Sequence, residues 1–177
     1  GGVTFFDVSN PCAPEIVGQG WADQMRESHS LAFGTDAEGE REFLALDYIG
    51  DDPDGDIGGV GFWEVTDRTA PVWVSELAFE GFHYPDAYVS VTLSTFWQGP
   101  YVYVSGGFMG LFIVDATDPL DPILVEQVVF DGLLVGSFHV VGNVAMVASA
   151  GTARTAVVDL SDPTAPELQP NGNFEVR

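Results

Sequence analysis

The chain has 177 residues, 46% hydrophobic and 12% aromatic, enough apolar mass for one core or a short array of small sheets, which excludes a disordered chain. Its 27 acidic residues stand against five arginines and no lysine, a formal net charge of −22, so the clustered basic surface that a nucleic-acid backbone requires is excluded too. No run of about 18 apolar residues is present, and no membrane span is expected.

The first element is Val3-Thr4-Phe5-Phe6-Asp7-Val8, an apolar strand that ends in an acid and runs into the turn Ser9-Asn10-Pro11-Cys12-Ala13-Pro14. Gly1 to Phe5 lacks the basic and apolar regions of a signal peptide. Cys12 is the only cysteine, so an internal disulfide is impossible, and it is expected to pack as a small apolar residue. Pro14 opens a further strand, Glu15-Ile16-Val17, as suits an outer edge where no N–H is needed. Strand-like runs follow at Leu31-Ala32-Phe33 and Phe43-Leu44-Ala45-Leu46, then an acidic insertion, Asp51 to Asp56, and a second motif, Val60-Gly61-Phe62-Trp63-Glu64-Val65-Thr66-Asp67-Arg68-Thr69-Ala70-Pro71. The same order recurs. Tyr88-Val89-Ser90-Val91 and Tyr101-Val102-Tyr103-Val104 precede a third motif, Leu111-Phe112-Ile113-Val114-Asp115-Ala116-Thr117-Asp118-Pro119-Leu120-Asp121-Pro122, with Ser94 to Pro100 read as a loop insertion. Val140-Val141 and Val144 to Ala148 precede a fourth, Ala156-Val157-Val158-Asp159-Leu160-Ser161-Asp162-Pro163-Thr164-Ala165-Pro166.

The motif acids Asp7, Glu64, Asp115 and Asp159 lie 57, 51 and 44 residues apart. Once the insertions are set aside, a unit of about 44 residues matches a four-stranded propeller blade. Leu111 to Val114 is apolar at consecutive positions, so both faces of that strand require cover, whereas a sandwich strand would alternate. The expected fold is all-β, a β-propeller or a fragment of one with about three and a half four-stranded blades. The whole chain is read as one repeat domain with units at 1–20 (partial), 21–80, 81–128 and 129–177. The first unit lacks its inner strand pair, so the chain is expected to belong to a larger propeller or to self-associate.

Gly110-Leu111-Phe112-Ile113-Val114-Asp115-Ala116-Thr117-Asp118-Pro119 resembles the LVIVD repeat family, and Gly2-Val3 and Gly59-Val60 echo its Gly-Leu opening. Arg68 replaces the first proline in the second copy, and Thr155-Ala156 replaces Gly-Leu in the fourth. The resemblance implies a propeller-like protein of bacterial or archaeal cell surfaces, and it transfers no catalytic residue.

Two constellations are candidates for binding. Asp52, Asp54 and Asp56 place carboxylates at alternate positions of a turning backbone, either a solvated acidic loop or a calcium loop. Ile57 and Trp63 stand where an EF-hand would have glycine and glutamate. Counting from each motif's last proline brings His29, Asp86 and His139 to the start of successive inner strands, where side chains ring a channel mouth and would hold a ligand or metal, or simply cap their strands. Trp21, Phe96 and Trp97 are read as loop aromatics, anchors on a neighbouring blade or a grip for a partner. No catalytic residue is assigned. The functional expectation is a secreted or cell-surface module binding a protein or glycan partner without catalysis, with a metal-dependent, lactonase-like hydrolase at the central channel as the alternative.

Overall fold

The computed structural model describes residues 1–50, 58–82 and 94–170, together with the backbone of 174–175. Sixteen strands and no helix are found among these residues. They form four antiparallel sheets. The first is a hairpin of β1 (Gly2–Asp7) and β2 (Glu15–Trp21). The second holds β3 (Met25–Glu27), β4 (Leu31–Thr35), β5 (Glu42–Gly50), β6 (Gly59–Glu64) and β7 (Val72–Ala78), with both β3 and β4 on β5. The third runs β8 (Thr95–Gln98), β9 (Tyr101–Ser105), β10 (Leu111–Asp115) and β11 (Ile123–Val128) in sequence order. The fourth runs β12 (Val135–Val141), β13 (Val144–Ser149), β14 (Arg154–Asp159) and β15 (Glu167–Leu168), and β16 (Phe174–Glu175) also pairs with β14.

The sheets stack face to face through three cores, each shared by two neighbours. On β10, Leu111 and Ile113 pack against the fourth sheet with Val135, Val147 and Val158, while Phe112 and Val114 pack against the second with Phe43, Val60 and Phe62. All four β10 residues are essentially inaccessible, and burial of side chains this size contributes about 1.5–3 kcal/mol each. On β5 the alternation repeats: Phe43 and Ala45 face the third sheet, and Leu44, Leu46 and Tyr48 face the first, where they meet Val3. This is blade-on-blade packing, and it is why the motif strands are apolar without alternation.

Each outer strand begins directly after the last proline of a motif turn, at Glu15, Val72, Ile123 and Glu167. The turns are held by side chains. Asp7, Asp115 and Asp159 each accept the N–H two residues on, from Ser9, Thr117 and Ser161, at 2.8 to 2.9 Å. A second such bond follows within each turn, from Cys12 to Asn10, Thr69 to Asp67, Leu120 to Asp118 and Thr164 to Asp162. These side chains mimic a backbone turn. The Ser9 N–H holds the Asp7 carboxyl below its usual range, and hydroxyl and N–H together do the same to Asp67 from Thr69, Asp159 from Ser161 and Asp162 from Thr164. In the second copy Glu64 pairs with Arg41 instead, and Arg68 pairs with Glu42.

Three features differ from the sequence reading. The inner strand of the third sheet is Thr95–Gln98, within the stretch read as an insertion, and Tyr88 to Val91 lies outside the described residues. Phe96, Trp97 and Trp21 are therefore strand residues, Trp97 buried edge-on against Phe62 and Trp21 exposed at the end of β2. Cys12 is exposed rather than packed, because the turn directs its N–H to Asn10 and leaves its side chain outside the sheet.

The glycine that opens the motif has a steric cause. A Cβ at Gly2, Gly59 or Gly110 would sit 2.2, 2.0 or 1.9 Å from a carbonyl oxygen of the adjoining outer strand or the residue before its end, on Gly20, Leu77 and Val128 respectively. Gly110 also has φ of +88°. In the fourth copy this position, five residues before the motif acid Asp159, is Arg154, and there the outer partner is split between β15 and β16. Gly110→Ala is therefore expected to cost more than the roughly 2 kcal/mol of positive-φ strain alone. Gly39→Ala, at φ +71° with open space around it, should cost no more than that strain; urea unfolding of both variants checks the order.

Candidate functional site

The most constrained polar group lies where the second and third sheets meet at their inner strands. Asp47 is the only acid on the apolar stretch of β5 from Phe43 to Ile49, and it is inaccessible to solvent. Its carboxylate accepts the N–H of Ser30 at 2.6 Å, the N–H of His29 at 3.1 Å and the Thr95 hydroxyl at 3.4 Å. The Thr95 N–H in turn donates to the Ser30 hydroxyl at 2.8 Å, which ties β8 to the entry of β4. The His29 ring approaches to 3.9 Å through Nδ1. Burial pushes the Asp47 carboxyl up to about 6, although the His29 and Ser30 N–H bonds and the His29 charge favour ionisation.

Ser28, His29 and Ser30 also line one side of a cleft of about 610 Å³. Its other walls are β1, from Gly2 to Phe6, and the exposed faces of Leu31 and Phe33 on β4. The first sheet has two strands among the described residues, and its Phe5 ring meets β4 edge-on at Phe33, 6.4 Å between centroids.

His29 and His139 do not share a level. Ala32 pairs with Ala45 and through it with Phe62, two residues before the motif acid Glu64; His139 pairs with Met146 and through it with Val157, two residues before Asp159. His139 thus matches Ala32, three residues along the strand from His29, and its ring lies 4.7 Å from that of Phe96. The residue that does repeat is serine: the Asp47 N–H donates to the Ser30 carbonyl, and the Ser105 N–H donates to the Ser94 carbonyl. Counting from the prolines misses this level because the loops entering the inner strands differ in length. Asp86, Asp52, Asp54 and Asp56 lie outside the described residues. Among the described residues no group of three or more His, Cys, Asp or Glu is placed to hold a metal ion.

A second cleft, of about 440 Å³, opens between the loops of the third and fourth sheets. Phe108 from the β9–β10 loop and Val129 from the β11–β12 loop stand at its mouth, 67% and 63% exposed. Phe130 and Leu133 form its apolar floor, and Asp131 and Thr152 supply polar rim groups. Arg154 donates to the Gly132 carbonyl and holds the β11–β12 loop in place. The same loops are joined across the sheets by reciprocal backbone bonds at 3.0 Å between Gly107 and Val135.

The model of the LVIVD repeat matches residues 96–129 and 135–173, the third and fourth sheets almost entire. The chain carries LVIVD repeats. No curated protein matches it. In these LVIVD repeats the acid after the apolar strand is spent on the turn, by the Asp115 and Asp159 bonds described above, and contributes nothing to either cleft.

Asp47 gives the chain a pH signature with a definite sign. The folded carboxyl titrates near 6, above its ordinary 3.8, so between about pH 4 and 6 the folded state keeps a proton that the unfolded chain has released. Stability on its account falls as pH rises through that window and is level above it. Asp47→Asn should remove this part of the decline, so the stability difference between wild type and variant changes by about 2–3 kcal/mol from pH 4 to 7. Urea unfolding across that range measures it, and a constant difference would refute the assignment.

Proposed function

We propose that the chain is a non-catalytic interaction module of the cell exterior that grips a protein or glycan partner with its loop face. The observation that carries this reading is the pair Phe108 and Val129, large apolar side chains left exposed at loop tips around an apolar cleft with a polar rim. Exposed apolar groups of this kind, anchored on a rigid sheet, are the usual centres of binding energy. The loops that present them are short and bonded to one another, so little ordering entropy opposes binding. The formal charge of −22 suits an exterior location, where surrounding salt screens repulsion, and it favours partners with basic groups around the contact.

A lactonase-like hydrolase at the central channel is the second reading, favoured by the buried Asp47 beside His29 at the edge of the larger cleft. The carboxylate is enclosed, and its oxygens are occupied by the N–H groups of His29 and Ser30, which fits a structural tie better than a base that must reach substrate.

Glycan-array and basic-peptide-array binding of the wild-type chain, repeated with Phe108→Ser and Val129→Ser, tests the favoured reading. Both positions are exposed, so the fold should be kept while retained spots weaken at least tenfold. Binding that ignores both substitutions would remove the cleft from consideration. Protease treatment of intact cells producing the full-length protein tests the location, with cleavage of this segment expected.

A further inference from the structure

We propose that the cleft between the third and fourth sheets takes a peptide: one apolar side chain enters between Phe108 and Val129, and a neighbouring lysine or arginine meets the Asp131 carboxylate. This rests on the cleft being the chain's interaction site. The cleft is made by a difference between two repeats. Phe108 stands seven residues before the motif acid Asp115, and the residue seven before Asp159 is Thr152. Met109 answers in the same way to Ala153. The β13–β14 loop, Ala150 to Ala153, therefore carries small side chains where the β9–β10 loop carries large ones, and the space left beside Phe108 is the cleft of about 440 Å³. It opens between two sheets whose facing surfaces are already packed together, so no further sheet is called for there.

Both walls are held before any partner arrives. The Gly106 N–H donates to the Gly110 carbonyl at 2.7 Å and the Met109 N–H to the Gly106 carbonyl at 2.8 Å, a closed loop with Phe108 at its tip. Opposite, the Leu133 N–H donates to the Phe130 carbonyl at 3.1 Å, and Gly132 at φ +66° completes a tight turn that carries Asp131. An apolar side chain that enters is flanked by Phe108 and Val129 and rests on Phe130 and Leu133. It leaves water while ordering almost nothing in the chain.

Two further observations choose the occupant. Asp131 is the one charged residue lining the cleft; it is exposed, and among the described residues it has neither an ion pair nor a side-chain hydrogen bond. Every arginine among the described residues is engaged elsewhere: Arg26 beside Glu27, Arg41 with Asp36 and Glu64, Arg68 with Glu42, and Arg154 on the Gly132 carbonyl. The complement of this rim charge has to come from the partner, and the field of a chain with net charge −22 draws cations towards it. A glycan is the poorer occupant. Its hydroxyls must keep their hydrogen bonds when they leave water, and of the lining side chains only those of Asp131 and Thr152 can supply them. A peptide with an apolar side chain next to a basic one matches the walls and the rim together.

Selection of a displayed library of random short peptides on the immobilised full chain is the test, beside a glycan array probed with the same protein. Enriched peptides are expected to share an apolar residue next to, or one removed from, Lys or Arg. Measured by fluorescence anisotropy, their binding should weaken at least tenfold with Phe108→Ser or Val129→Ser. It should weaken about tenfold with Asp131→Lys, and exchanging the peptide's basic residue for Glu should recover most of that loss. Asp121→Lys, the same change of charge at the other end of β10, should alter affinity by no more than about twofold. Far-UV circular dichroism matching wild type keeps a folding defect from passing for lost binding. Peptides that lack a basic residue, or that bind both serine variants as well as wild type, would overturn the inference. A glycan retained in place of peptides and lost with Phe108→Ser would overturn it while leaving the cleft as an interaction site; silence on both arrays would remove the two together.

Discussion

Four consecutive apolar side chains on one strand cannot be buried by a single partner sheet. Leu111 and Ile113 point one way from β10 and Phe112 and Val114 the other, so a sheet built around such a strand is stable only between two others. Once that holds for one sheet, it holds for each sheet that repeats the strand, and the chain is committed to a stack. The sheets approach closely at their inner strands, where β4 and β8 are tied through Asp47, Ser30 and Thr95.

The turns solve a different problem with the same residues each time. A strand that must stop after four apolar residues needs its backbone diverted at once, and the Asp or Asn side chains accept the N–H groups that the reversal frees. This use accounts for much of the regular spacing of acids along the sequence. It also leaves the turn acids Asp7, Asp67, Asp115, Asp118, Asp159 and Asp162 away from the cores.

What was legible in the sequence follows from range. The motif strand, its turn and the outer strand after Pro14, Pro71, Pro122 or Pro166 are set by contacts within a few residues, and they read directly from the residues. The inner strand Thr95–Gln98 did not, because a four-residue strand flanked by Ser94 and Gly99-Pro100 has the composition of a loop, and its identity comes only from pairing with β9. The Asp47 tie was equally hidden, since its partners lie 17 and 48 residues away in the chain. The loops that lead to His29 and His139 differ in length, so distance from the preceding proline carries no physical constraint on their levels, whereas pairing through β5 and β13 fixes them.

Because each core is shared by two neighbouring sheets and no more, free energy is coupled along the stack only from one sheet to the next. Loss of the first hairpin dissolves one core and leaves the other two whole; loss of the third sheet dissolves two and strands the fourth. Local opening therefore starts at the ends and moves inward. The amide protons of β6 and β10, each at the centre of a sheet with covered faces, are the last to exchange with solvent, while those of β1 and β15 exchange first. The molecule behaves less like a single cooperative globule than like a short pile of plates, firm in the middle and loose at the rim.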